Sequence, residues 1–223
     1  MWPFFKPKIF HVYATERSGH NSVMFWLMHQ FRWIRKYQDL QHNGSFNYVE
    51  YRKQHILISN DTHDQDFDNY KAKIIIYNYE TSIIQHENPT IVLRDFKNTF
   101  ASLMQNSKSK NMVPAHEGRA KIWKNRAEAI LNNQGYFINY NLYNWNKEYR
   151  RQICKDLKLK FTDVGIDYIA NTGSSFTKKD PKKFKRDQLN KRYLKFQENE
   201  KFKYYMYIYR DCLHLSNQIF GNV

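Results

Sequence analysis

The chain has 223 residues, 41% of them hydrophobic and 17% aromatic, so it is long and apolar enough to bury a core without staples and is no disordered polar chain. Its 36 Lys and Arg against 21 Asp and Glu leave a charge of +15, which draws anions: nucleic acid, an anionic membrane or a phosphorylated small molecule. Two cysteines, Cys154 and Cys212, are too few for a disulfide framework and fit no metal-ligand spacing, so both read as buried thiols. Nowhere do eighteen apolar residues run together, so no membrane span is expected and the expected location is the cytoplasm.

In chain order, short β-branched runs alternate with helical patterns, the arrangement of an α/β fold. Strands are expected at Ile9–Ala14, His55–Ser59, Lys73–Asn78, Thr90–Arg94 and Tyr136–Tyr140, giving a central parallel sheet of about five strands flanked by helices. After the first strand, Val23, Leu27, Phe31 and Ile34 recur at helical spacing, with Asn21 or Ser22 available as a cap. A second helix starts at Asp95 and turns Phe100, Leu103 and Met104 inward. A third carries Ala120, Trp123, Ala127 and Ile130, and a fourth shows Trp145, Tyr149, Ile153 and Leu157 in one stripe. These stripes read as ordinary core.

Asn60–Tyr70 is polar, acidic and without period, a loop on the side where a substrate would enter; Asn106–Glu117 is a second such loop. From Lys178 to Lys203 stand eleven Lys or Arg against four Asp or Glu, a basic C-terminal region that turns helical at about Arg186. That run reads either as a solvated face or as one wall of an anion site. No composition break divides residues 1–223, so one domain is expected.

Two loops carry the chemistry. The first strand runs out through Thr15-Glu16-Arg17-Ser18-Gly19-His20-Asn21-Ser22 into a helix. A glycine turn at a helix start offers unpaired N–H groups and the positive end of the dipole, a place for an anion. The Walker pattern G-x-x-x-x-G-K-[ST] is absent, which argues against an ordinary ATPase or kinase. The second loop follows the fourth strand, where Arg94 closes the strand and Ser102 lies eight residues on in the next helix.

This pair of loops resembles the PAPS-dependent sulfotransferases, in which an Arg at a strand end and a Ser eight residues later hold the 3′-phosphate of 3′-phosphoadenosine 5′-phosphosulfate (PAPS). The first loop resembles their 5′-phosphosulfate loop, closest to bacterial members with Arg-Ser-Gly-His or Arg-Ser-Gly-Asn. Tyr140 matches a tyrosine that commonly contacts adenine, with Asn141 in place of the usual Glu. Gly173-Ser174-Ser175-Phe176 and Leu189-Asn190-Lys191-Arg192-Tyr193 look like the family's Gly-Ser-Ser-Phe and Leu-x-x-Arg-Trp signatures. Departures are His20 and Asn21, where two hydroxyl residues are commonest, and Phe96, where proline is frequent.

The resemblance implies a P-loop, nucleotide-kinase-like three-layer fold and PAPS as donor. It implies a donor site of Arg17, Ser18, Gly19, His20, Asn21, Ser22, Arg94, Ser102, Tyr140, Gly173, Ser174, Ser175 and Arg192. Sulfuryl transfer to a hydroxyl or amine needs charge stabilisation but no metal, and Arg17 with the loop N–H groups supplies it. The expected base is Glu80, closing Ile74-Ile75-Ile76-Tyr77-Asn78-Tyr79-Glu80, its pKa raised by burial beside Tyr79; His86, His63 and His20 are rivals. The acceptor stays open among glycan, lipid, small alcohol and peptide. Two alternatives are a basic nucleic-acid-binding protein using Lys178–Lys203 as its phosphate-tracking patch, and a nucleotide or sugar kinase on the same fold.

Overall fold

A computed structural model describes residues 8–30, 56–60, 74–105, 113–166 and 186–221. Strand β1 (Lys8–Ala14) leads into helix α1 (His20–His29), followed by β2 (Ile56–Asn60), β3 (Ile74–Tyr79), β4 (Thr90–Leu93) and α2 (Phe96–Gln105). Then come α3 (Val113–Leu131), β5 (Tyr136–Asn139), α4 (Tyr140–Trp145), α5 (Lys147–Asp156), a 3₁₀ helix (Arg186–Phe196), α6 (Glu200–Ile208) and α7 (Arg210–Phe220). The fold is α/β. β3, β1, β4 and β5 form a parallel sheet flanked by helices, and the backbone of β2 pairs in parallel with β3 at its outer edge.

Period-two alternation sorts the strands between two cores. Phe10, Val12 and Ala14 of β1, Ile74 and Ile76 of β3, Val92 and Ile138 face α1, α4 and α5. Leu93 faces the other way, into a cluster with Phe96, Phe100, Trp123, Phe202 and Tyr205 from α2, α3 and α6. Burial on both faces explains the near-continuous isoleucine run of β3, since a strand covered on both sides has no polar face to alternate. Cys154 lies in the first core and Cys212 in the second, where burial pushes each thiol up to about 12.

The strands expected at Ile9–Ala14, Lys73–Asn78, Thr90–Arg94 and Tyr136–Tyr140 match the observed ones to within a residue at each end. The helices differ more. α2 begins at Phe96 because Asp95 caps it, its carboxylate accepting from the Asn98 N–H at 2.9 Å. The fourth expected helix is two: Asn146 is extended (φ −98°, ψ 105°) and caps α5 by accepting from the Tyr149 N–H. Trp145 therefore leaves the stripe and is 63% exposed. The expected loop Asn106–Glu117 is helical from Val113 onward, while the C-terminal region turns helical at Arg186 as expected, as a 3₁₀ helix followed by two α-helices. Phe31, Ile34 and nearly all of Asn60–Tyr70 lie outside the described residues.

Candidate functional site

Strand register builds the site. Tyr13 pairs with Tyr79, Ala14 with Val92 and Leu93 with Asn139, all at the carboxyl end of the sheet. The residues one step beyond, Thr15, Glu80, Arg94 and Tyr140, therefore stand along one edge. The chain leaves β1 toward the β2 side and leaves β4 toward β5, so the crevice opens where the connections diverge.

The loop from Thr15 to Gly19 turns with Arg17 at φ 70° and Gly19 at φ 84°. The left-handed region is natural for glycine and costly for arginine, so this turn is held by its surroundings. Ser18 is fully buried and its N–H donates to the Thr15 carbonyl at 3.0 Å. Gly19 has no room for a side chain: a Cβ there would meet the Tyr140 ring at 2.0 Å. α1 starts with no side-chain cap and no acid in its first turn, which leaves its amides and dipole to the loop. Ser22 packs toward Tyr143, whose hydroxyl donates to the Ser22 carbonyl at 3.1 Å.

Beside the loop, two guanidinium groups share one hydroxyl. Arg94, 1% exposed, donates to Ser102 Oγ at 3.2 Å and to the Leu189 carbonyl, while its Nε has no partner among the described residues. Arg192, on the 3₁₀ helix, donates to the same Ser102 Oγ at 3.3 Å. Burial first, then the charges of Arg94 and Arg17, lower the Arg192 guanidinium to about 9 despite the opposing pull of Tyr140. Burial also lowers Arg94, against Asp95 and Tyr140. The Arg94 guanidinium lies 5.8 Å from the Tyr140 ring centre, so Tyr140 bridges the two loops instead of standing apart from them. Asn98 fixes the 3₁₀ helix against α2: its amide donates to the Asn190 carbonyl at 2.9 Å and its carbonyl accepts from the Tyr193 N–H at 3.2 Å. Cations this close repel one another, and an anion among them would relieve that repulsion.

His20 and Glu80 form the second feature. In β3, Ile74, Ile76 and Asn78 face α1 by alternation, and Glu80 continues that row toward the helix start. His20, 3% exposed, places Nε2 at 2.7 Å from Glu80 Oε1; its Nδ1 lies 3.5 Å from Ser18 Oγ, and the Asn78 amide nitrogen 3.4 Å from Nε2. Burial would raise the Glu80 carboxyl, but the His20 bond and charge, the Asn78 bond and the Arg17 charge together hold it below its ordinary value. The expected upward shift is thus reversed, because the histidine that looked like a rival base is the partner of the carboxylate.

Glu80 opens onto a pocket of about 260 Å³, formed with Thr15, Glu16 and Thr81 and walled by Gly118, Arg119 and Ile122 of α3. Arg119 donates to Glu16 at 2.8 Å across it. Arg126 anchors α3 there, donating to the carbonyls of Tyr79 and Ser82 at 2.9 and 3.2 Å.

The structure thus brings together Arg17, Ser18, Gly19, His20, Arg94, Ser102, Tyr140 and Arg192, with Asn21 and Ser22 in the first turn of α1. Gly173, Ser174, Ser175 and His63 lie outside the described residues. His86 sits on the sheet face opposite α1, stacked on His11 with ring centres 3.7 Å apart and hydrogen-bonded to the Tyr13 hydroxyl at 2.5 Å. Sequence reasoning missed Asn78, although a polar residue in register with Ile74 and Ile76 was a readable signal. It also missed Asn98 and the α3 wall, for which no local signal exists. Among the described residues no group of three or more His, Cys, Asp or Glu stands ready to hold a metal ion, and no helix is long and apolar enough to cross a membrane. No family model, curated protein or solved structure matches the chain.

Proposed function

We propose that the chain is a sulfotransferase of the P-loop-like, three-layer α/β fold, moving a sulfuryl group from PAPS to a hydroxyl acceptor. The observation that carries this reading is the convergence of Arg94 and Arg192 on Ser102 Oγ, close to Arg17, with the Nε of Arg94 left without a partner among the described residues. Two anion sites follow from it, one at Arg94, Ser102 and Arg192 and one at the Thr15–Gly19 loop, joined by Tyr140. A bisphosphorylated nucleoside carries a charged group for each of the two, whereas a single phosphate needs only one.

The donor supplies a sulfuryl group on a phosphate, so that the acceptor oxygen forms a bond to sulfur while the bond from sulfur to the 5′-phosphate oxygen breaks and its electron pair leaves with adenosine 3′,5′-bisphosphate. Glu80, ionised at neutral pH, takes the proton of the acceptor hydroxyl, and His20 holds that carboxylate in place. Arg17 and the N–H groups at the start of α1 stabilise the charge that gathers on the phosphate side. Adenosine 3′,5′-bisphosphate is expected to raise the melting temperature several-fold more than AMP at equal concentration, because only the former reaches Arg94, Ser102 and Arg192. Equal shifts would remove the reading.

A further inference from the structure

We infer that Arg119 is a positioning residue for the donor: by holding the Glu16 carboxylate it keeps Arg17 for the incoming anion, and without it the loop would neutralise itself. The inference rests on the transfer reading above and deepens it.

An acid inside an anion-binding loop works against the loop. Glu16 stands next to Arg17 in the Thr15–Gly19 turn, and a carboxylate there repels a phosphate and competes with it for the guanidinium. The structure gives that carboxylate another partner. Glu16 Oε2 takes both Arg119 contacts, from Nε at 2.8 Å and from Nη2 at 2.5 Å, while Oε1 lies 3.5 Å from Arg17 Nε. The Arg17 Nε makes no hydrogen bond among the described residues. Glu16 is thus committed to α3, and Arg17 is not consumed by its neighbour. The charge of Arg17 acts instead on both halves of the site, helping to lower Glu80 and Arg192.

The far end of the pair is fixed. Arg119 and Arg126 stand two helical turns apart on one side of α3. Arg126 donates to the carbonyls of Tyr79 and Ser82, and the Trp123 indole N–H donates to the Arg94 carbonyl at 2.9 Å. The helix that carries Arg119 is therefore tied to the ends of β3 and β4, and its guanidinium meets Glu16 from a rigid support. The Arg119 and Glu16 side chains are 25% and 34% exposed, so water screens this pair less than a surface one.

Calorimetry on the whole chain, with adenosine 3′,5′-bisphosphate and with pyrophosphate as probes, tests this on Arg119→Gln, Glu16→Gln and the double variant. Arg119→Gln is expected to weaken the bisphosphate at least about fivefold, the effect of one unit charge about 4 Å away even through water. Glu16→Gln is expected to bind it no more weakly than the wild type. The double variant is expected to recover the affinity of Glu16→Gln, because the acid that needed holding is gone. A role of Arg119 in packing alone predicts a double variant as weak as Arg119→Gln. That result would overturn the inference, as would equal affinity of wild type and Arg119→Gln, or a loss in Glu16→Gln, which needs no Arg119 variant to fold. A wild type that ignores the bisphosphate but takes pyrophosphate, with the same loss and recovery, would sink the donor reading and uphold the pair. A wild type that takes neither anion would overturn both.

Discussion

At Glu80 two effects of opposite sign meet, and the balance is measurable. Burial raises the carboxyl, while His20, Asn78 and Arg17 lower it further, so its folded pKa lies below the ordinary value. A carboxyl lowered on folding contributes stability that is present above the unfolded pKa and is lost as pH falls through the folded one. Replacing His20 with glutamine removes the bond and the charge and leaves burial in the lead. The Glu80 titration, followed by carbon NMR, is therefore expected to move up in His20→Gln, and the acid limb of any activity with it. An unmoved titration would show that the 2.7 Å contact does not form in solution.

Arg192 behaves in the reverse sense. Burial and the charges of Arg94 and Arg17 lower its pKa, so an anion that enters beside it relieves that repulsion. In Arg192→Gln the affinity for adenosine 3′,5′-bisphosphate, measured by calorimetry, is expected to fall by about tenfold or more, the scale of one lost charge-assisted hydrogen bond. An unchanged affinity would place Arg192 outside the anion site.

Among the elements, the breaks matter more than the runs. Asn146 ends α4 and starts α5, accepting from the Tyr149 N–H at 2.9 Å, and so turns Trp145 outward. Replacing it with alanine is expected to cost about 1 kcal/mol, or roughly 2–4 °C in melting temperature for a chain of this length. Thermal unfolding followed by circular dichroism checks this. The short α4 also explains how Tyr140 reaches the loop: as its first residue, it follows directly on the strand end that stands beside Arg94. The 3₁₀ helix is held by Asn98, by the Arg94 bond to the Leu189 carbonyl and by the Asn190 amide on the Asn141 carbonyl, which is how Arg192, far along the chain from Ser102, comes to share its hydroxyl.

Over the whole molecule, the charge of +15 draws polynucleotides and small phosphorylated ligands alike, and salt separates these two. A polynucleotide held by many exposed lysines and arginines loses affinity steeply with salt through counterion release. Buried arginines are screened far less. Adenosine 3′,5′-bisphosphate is accordingly expected to lose less than about tenfold in affinity between low and physiological salt, measured by calorimetry. A steeper loss, shared by oligonucleotides, would move the anion site from the buried cluster to the exposed basic surface.

The sequence by itself determined the alternation of strands and helices, because β-branched runs such as Ile74-Ile75-Ile76 and stripes such as Trp123 with Ala127 are local patterns that backbone geometry reads directly. It also marked Arg17, Gly19, Arg94 and Ser102, since each lies at a strand end, a turn or a fixed spacing along a helix. It did not determine that Arg192 joins Arg94 on one hydroxyl, that His20 is bound to Glu80, or that Gly118 faces a pocket. Those are contacts between residues distant in the chain, fixed by strand register and by the packing of α3 and the 3₁₀ helix on the sheet. The direction of the Glu80 shift was likewise decided only in three dimensions, because burial is foreseeable from one strand whereas a partner supplied by another element is not.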